Sequence, residues 1–286
     1  MVLVLNMKIG RIFLLLAVIY FIVGCVPQRE LGNKFLNQRH NITLVITTPK
    51  WLKMVNLNTD SIVFKDGMTQ REKDSVSFYK SKVLQNIKDS VFIANYVKGL
   101  RDNLEYQGYK TLVASVGDTI FPVKGDAFLL NLGQIELDEM KYPIRDEKQY
   151  FGQLYAYDYD LTKVDMCFWL ELYKIDNGVA VEPSRILYDS VENIDDFDGY
   201  FFLDPKSNSM KYIKTVKVIT ADSIQLFARV IGIDHGYRLN EFLLNEYISN
   251  FLPANAEKMI LGVNPIYGTL ERIESPPFEE IEKSSY

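Results

Sequence analysis

The chain has 286 residues, 48% hydrophobic and 24% charged, which is enough apolar material for a packed core. A formal charge of −5 excludes the strongly basic surface that nucleic acid or anionic headgroups call for. Only Cys25 and Cys167 are present, which excludes a disulfide framework.

Arg11 to Cys25 forms a basic flank, an unbroken apolar run from Ile12 to Val23, then Gly24 before the cysteine. With Lys8, this has the positive n-region and apolar core of a secretory signal. A retained membrane span is the alternative, but it needs about 20 apolar residues, and Pro27, Gln28, Arg29 and Glu30 end the run first. The stretch resembles a bacterial lipoprotein signal peptide, with Ile22-Val23-Gly24-Cys25 as its lipobox. The resemblance implies cleavage before Cys25, lipidation of its sulfur and acyl chains such as palmitate holding the protein to a membrane. Val26 in place of aspartate, with no acidic cluster following, implies the periplasmic face of the outer membrane rather than the cell surface. The leader carries only Lys8 and Arg11, so from Cys25 on 30 basic residues face 37 acidic ones, a net of −7.

Residues 26–40 are polar and read as a short tether. Ile42–Thr47 alternates with β-branched residues and should be a strand ended by Pro49. In the stretch 50–88 the only strand signal is Ile62–Phe64. Asp89-Ser90 offers an N-cap to a helix carrying Ile93, Tyr96, Val97, Leu100 and Leu104 and closed by Gly108. Tyr109–Ser115 resumes as a strand. Between Asp126 and Met140, Phe128, Leu130 and Leu132 share one face before the apolar phase shifts to Ile135 and Leu137. That shift predicts a bulge at Gly133, where a backbone closed to other residues would make valine destabilising. Residues 141–150 read as a charged loop.

Val164, Met166, Phe168, Leu170 and Leu172 then alternate with Asp165, Cys167, Trp169, Glu171 and Tyr173. Asn177-Gly178 should turn the chain into a partner strand over Val179–Val181 and Arg185–Tyr188. Glu192–Asp198 reads as an acidic loop and Tyr212–Ile219 as a strand. Asp222 opens a last helix whose apolar stripe runs from Ile224 to Phe251, and Gly232 and Gly236 within it predict close packing on a sheet.

This order predicts an α+β fold, an antiparallel or mixed sheet with helices packed on one face. The expected organisation is a signal peptide over 1–24, a lipidated tether over 25–40, one domain over 41–253 and an extended acidic tail over 254–286. The layout, with the lipobox, resembles the periplasmic lipoprotein domains of penicillin-binding-protein activators, the curli secretion lipoprotein and transporter auxiliary lipoproteins. No residue motif accompanies that likeness, so it assigns no functional residue.

Catalytic and metal residues are not predicted. The two histidines, His40 and His235, fall in no ligand spacing, and neither a nucleophile elbow nor a phosphate loop is present. Cys167 reads as a small half-buried hydrophobe. Trp169 and Tyr173 are candidate binding residues on the half-exposed face of their strand, with the last helix expected on the Val164–Leu172 face. Tyr155, Tyr157 and Tyr159, two apart, would put three rings on one strand face, either as a binding row or as a packing ladder. Asp-Ser/Thr-aliphatic recurs six times, at Asp60, Asp74, Asp89, Asp118, Asp189 and Asp222. It resembles an O-glycosylation acceptor of Gram-negative envelope proteins, with Ser61, Ser75 and Thr119 as candidates, whereas Asp89 and Asp222 read as helix caps. The expectation is a non-enzymatic accessory or binding lipoprotein in envelope assembly or transport, without cofactor, partnered by a membrane and another envelope protein. A glycan-binding or glycan-cleaving lipoprotein is the alternative.

Overall fold

The computed structural model describes residues 28–281 except Ser61, Val116, Ala254 and Asn255, together with all of Pro183 but its side chain. The fold is α+β. A seven-stranded mixed sheet has the order β11 (Glu279–Ile281), β6 (Val179–Ile194), β5 (Gln153–Asp176), β4 (Ala127–Tyr150), β1 (Thr43–Thr47) and β3 (Lys110–Ala114), with β2 (Lys53–Asn56) also on β4. Its centre is a meander of three long strands, β4 (Ala127–Tyr150), β5 (Gln153–Asp176) and β6 (Val179–Ile194). Asn177 and Gly178 both take positive φ, as a tight hairpin turn requires. β1 (Thr43–Thr47) lies parallel between β4 and β3 (Lys110–Ala114), and β2 (Lys53–Asn56) continues along the same edge of β4.

The predicted bulge is present: register with β5 slips between Leu132 and Gln134. It separates the stretch of β4 that pairs with β1 from the stretch that pairs with β2. The extra residue keeps Leu130 and Leu132, then Ile135 and Leu137, on one buried face. Gly133 itself is exposed, has no positive φ, and a Cβ there would meet nothing closer than 3.5 Å. The residue is therefore free to change, contrary to the strain considered for it.

Two helices cover that face, α3 (Asp89–Tyr106) and the 31-residue α4 (Ala221–Phe251), about 46 Å long. Their glycines face each other, not the sheet as the sequence suggested. A Cβ on Gly99 would lie 2.1 Å from the Arg229 carbonyl oxygen, and one on Gly232 2.1 Å from that of Tyr96. Gly108 (φ +101) closes α3, and the Tyr109 N–H bonds back to the Leu104 carbonyl at 3.0 Å. The caps differ from those read off the sequence. Lys88 and Thr220 are the N-caps, and Asp89 and Asp222 sit in the first turns, where a carboxylate favours the helix dipole. The face of β5 turned to the helices carries Val164, Met166, Phe168, Leu170 and Leu172, all buried. Between β2 and α3 the chain forms α2 (Gln70–Tyr79), opened by a capping box of Thr69 and Glu72. Ile62–Phe64 is not a strand.

Both ends of the expected domain need correction. Residues 28–38 are not a tether but a helix, α1, lying antiparallel on α4. The Phe35 ring meets Tyr247 at 5.5 Å, Arg39 reaches Asn240, and Gln28 bonds the Glu257 carbonyl (2.7 Å) and the Met259 N–H (3.0 Å). Nor is the tail wholly free. β9 (Leu261–Val263) and β10 (Leu270–Arg272) form a hairpin, β11 (Glu279–Ile281) adds to the β6 edge, and Leu261 and Phe278 are buried.

Residues 141–150 are strand, not loop: β4 and β5 stay paired to the Phe151-Gly152 turn. β6 pairs with β5 only to Ile194 and Lys163, and β2 with β4 only to Asn56 and Glu139. The hairpin therefore leaves the sheet as an arm of ten residues a side, roughly 30 Å long. A second hairpin, β7 (Asp196–Asp204) and β8 (Ser209–Lys217), packs on it where the sequence suggested an acidic loop. Gly99→Ala and Gly232→Ala should each cost about 3 kcal/mol or more, because the clash is with backbone, while Gly133→Val should stay within about 0.5 kcal/mol. Urea midpoints measure this; equal midpoints for all three would refute the helix contact.

Candidate interaction surfaces

α3 and α4 cover one sheet face, and part of the other remains open. On the open part, Trp169 is half-buried and its ring lies 5.2 Å from Tyr188, its partner across β5 and β6. Tyr173 is half-buried lower on the same strand and donates to Glu171 (2.8 Å), which also accepts from Asn131 (3.0 Å). Below that, the Phe121 loop covers a small second core of Val45, Ala127, Leu129 and Ile175. The structure thus places Trp169 and Tyr173 on one accessible face, opposite α4.

Above Trp169 the same face becomes acidic. Glu136, Asp138, Asp165 and Glu192 line neighbouring strands, with Asp138 directly across from Asp165. Lys53 meets Glu136 at 2.7 Å, and Lys163 reaches both Asp165 (3.0 Å) and Glu192 (2.7 Å). Asp138 is left with Oδ1 buried and unbonded among the described residues. Burial, then the charge of Glu136, raises its carboxyl above the ordinary range. Cys167 sits between the acidic group and Trp169 and accepts a hydrogen bond from the Tyr188 hydroxyl (3.4 Å). Burial raises its pKa, so it is held as a thiol and is a poor nucleophile.

Tyr155, Tyr157 and Tyr159 do share a face of β5, but the β7–β8 hairpin occupies it. Tyr157 stacks on Tyr212 at 4.1 Å, Tyr159 on Phe197 at 5.9 Å, and Lys214 lies 3.5 Å over the Tyr159 ring. The row is a packing ladder between two ribbons, not an open stacking platform. What the arm does expose is its tip. Phe151 is 93% exposed and held at φ +48, a conformation unfavourable to an aromatic residue. The nine residues from Gln149 to Tyr157 carry no charge. That uncharged run was legible in the sequence; the turn at its centre was not.

No local pattern in the sequence marks the polar network inside the domain. His235 is fully buried, with Nδ1 2.7 Å from the Tyr96 hydroxyl and Nε2 3.0 Å from Asp189. A carboxylate only accepts, so Nε2 carries the proton and Nδ1 accepts from Tyr96. Arg238 donates to Asp189 (2.5 Å) and to the Pro277 carbonyl (2.5 Å), bringing the C-terminal segment into the chain. Burial opposes the charge on Asp189, but the hydrogen bonds from His235 and Arg238 outweigh it and lower its pKa. Tyr96 is raised by burial, then by Asp189. Tyr96, His235, Asp189 and Arg238 each have a hydrogen-bond partner within this network or on the backbone, so together they clamp α3, β6, α4 and the C-terminal segment.

Cys25 and Ser61 lie outside the described residues. Ser75 is exposed on α2 and Thr119 is exposed on the loop after β3. Among the described residues no group of three metal-ligating side chains occurs, and no helix is long and apolar enough to cross a membrane. No family model matches this chain and no curated protein is significantly similar to it.

Burial lowers the pKa of His235, and the Asp189 hydrogen bond only partly compensates. In the unfolded chain the ring protonates near its ordinary value of about 6.5. As pH falls through that value the unfolded state takes up the proton first, so stability is level above about pH 6.5 and declines below it. The urea midpoint should drop between about pH 7.5 and 5.5, and His235→Gln should flatten that drop while being less stable at both. A flat wild-type midpoint would overturn the assignment of a neutral ring.

Proposed function

We propose that this chain is a lipoprotein held at the periplasmic face of the outer membrane, with a non-enzymatic role in envelope assembly or transport: it binds another envelope protein. The apolar leader and Gly24-Cys25 motivate the anchor. The membrane attachment then has little slack, because Gln28 is docked on the domain and Cys25 lies three residues before it. Three Cα steps of 3.8 Å place the two residues within about 11 Å of each other. The anchored end is thus the C-terminal end of α4.

The arm leaves from the other end. Asp195, buried at its root, accepts from the Thr162 N–H (2.8 Å) on β5 and from the Ile219 N–H (2.8 Å) just before α4. The observation that carries the proposal is this placement of the docked N-terminal helix and the arm at opposite ends of one long helix. A domain seated on a membrane would present an uncharged aromatic tip and the Trp169 face beyond the bilayer. Trp and Tyr on an open sheet face suit a protein partner, since large rigid rings add contact area at small entropic cost. The glycan reading loses its platform, because the Tyr155–Tyr159 row is covered.

Two measurements test this. Cys25→Ser should abolish metabolic labelling with a clickable palmitate; equal labelling of both proteins removes the anchor. Separately, Trp169→Ala and Phe151→Ser should each reduce in-cell crosslinking to an envelope protein without shifting the melting temperature. Undiminished crosslinking in both variants would remove these surfaces as binding sites.

A further inference from the structure

At the root of the arm, beside the β4 edge that β2 leaves at Asn56, lies a cavity of about 430 Å³, within the range of small-molecule sites. Three lysines, Lys80, Lys82 and Lys141, line it together with one carboxylate, Glu139. Glu139 does not neutralise them. It is buried, and its oxygens accept the backbone N–H groups of Lys82 (2.7 Å), Val83 (2.9 Å) and Leu84 (3.2 Å). Among the described residues Lys80 has no ion-pair partner, Lys82 donates only to the Thr162 hydroxyl (3.3 Å), and Lys141 meets Asp160 at a loose 3.9 Å.

Apart from Asn58 and Thr162, the remaining wall is apolar. Leu161 is buried, Ile62, Val76 and Met140 are half-buried, and Val63 stands 93% exposed at the rim. Lys82 and Thr162 also border a second cavity of about 490 Å³, which Val83, Val218 and Ile219 line together with the carboxylates Asp195 and Asp222, so the apolar chain of a ligand is better served by the first. Exposed ammonium groups, two without an ion-pair partner among the described residues and one loosely paired, beside a largely apolar wall complement a ligand with two parts, an anionic head and an apolar chain. A free anion would leave the wall unused, and a neutral hydrocarbon would leave the Lys80 and Lys82 charges unanswered.

We propose that this cavity binds an anionic amphiphile, a phosphate or carboxylate carrying an alkyl chain, with Lys80, Lys82 and Lys141 on the head and Val76, Met140 and Leu161 along the chain. The site is independent of the anchor and of the partner surfaces.

The test is calorimetric titration of the full chain in lipid nanodiscs, with empty discs as blank. The probe is octyl phosphate below its micelle concentration, with inorganic phosphate and octanol as comparison arms. Octyl phosphate should bind saturably at one site, inorganic phosphate on the order of tenfold more weakly, and octanol not at all. Changing the three lysines to glutamine should weaken octyl phosphate by about tenfold or more. Val63→Glu should also weaken it, and as an exposed rim residue its replacement leaves the fold intact. No saturable binding, equal binding of phosphate or octanol, or unchanged affinity in both variants would overturn the proposal.

Discussion

Gly99 and Gly232 let the backbones of α3 and α4 touch, and much of the molecule takes its position from that contact. Bare backbone at a crossing excludes every alternative register that would bring a side chain there. With the register set, Tyr96, one turn before Gly99, meets His235, one turn after Gly232. Phe168 then stacks under Tyr96 at 5.0 Å, and Asp189 and Arg238 extend the chain to the C-terminal segment. Such a buried network stabilises only when fully satisfied, because an unpaired group in a low-dielectric interior costs more than the bond contributes. Here the protonation states follow from geometry: a neutral imidazole, an ionised Asp189 and a phenol that keeps its proton.

The long helix so placed has different tasks at its two ends. Its C-terminal half holds the helix 28–38 and the β9–β10 hairpin, whose Leu261 is tied to Asn245 through both backbone groups. Its N-terminal end is tied to the arm by Asp195. Glu139 does the same kind of work nearby. In both cases a buried carboxylate accepts backbone N–H groups from a segment distant in sequence, a charge-assisted bond stronger than a neutral one. These clamps fix the turn before α3 and the arm root, and the lysine-lined cavity is the space left between them. Its charge is a consequence: Glu139, the one acid lining it, is already committed to backbone.

The two faces of β5 show how one strand serves opposed demands. Val164 to Leu172 feed the core, and the alternate residues form a surface on which charge and aromatic area are separated along the strand. Carboxylates crowd one end, with Asp138 and Asp165 paired across strands, and Lys53 and Lys163 offset only part of the repulsion. Trp169 and Tyr188 occupy the middle. A partner on this face would meet an apolar patch bounded on one side by negative charge.

Local chemistry in the sequence was enough to determine the α+β class, the strand carrying Trp169 and its inside and outside, the bulge at residue 133, the Asn177-Gly178 turn and the extent of α4. Each of these rests on residues within a few positions of one another, where side-chain period and turn propensity act directly. The proposed leader and lipidation of Cys25 are local readings too, and they rest on the sequence alone. Long-range packing decided the rest. Residues 141–150 are too charged to resemble a buried strand, yet they pair because β5 continues beside them and the β7–β8 hairpin shields their inner face. The segment 28–38 shows little apolar content, but Phe35 and Gly32 suffice once α4 offers a groove. The Tyr155–Tyr159 row could face solvent or a neighbour on sequence grounds alone, and the Tyr212 and Phe197 rings that cover it come from the next hairpin. Tyr96, Asp189 and His235 lie 46 to 139 residues apart, and no periodicity connects positions that meet only when two helices cross over a sheet.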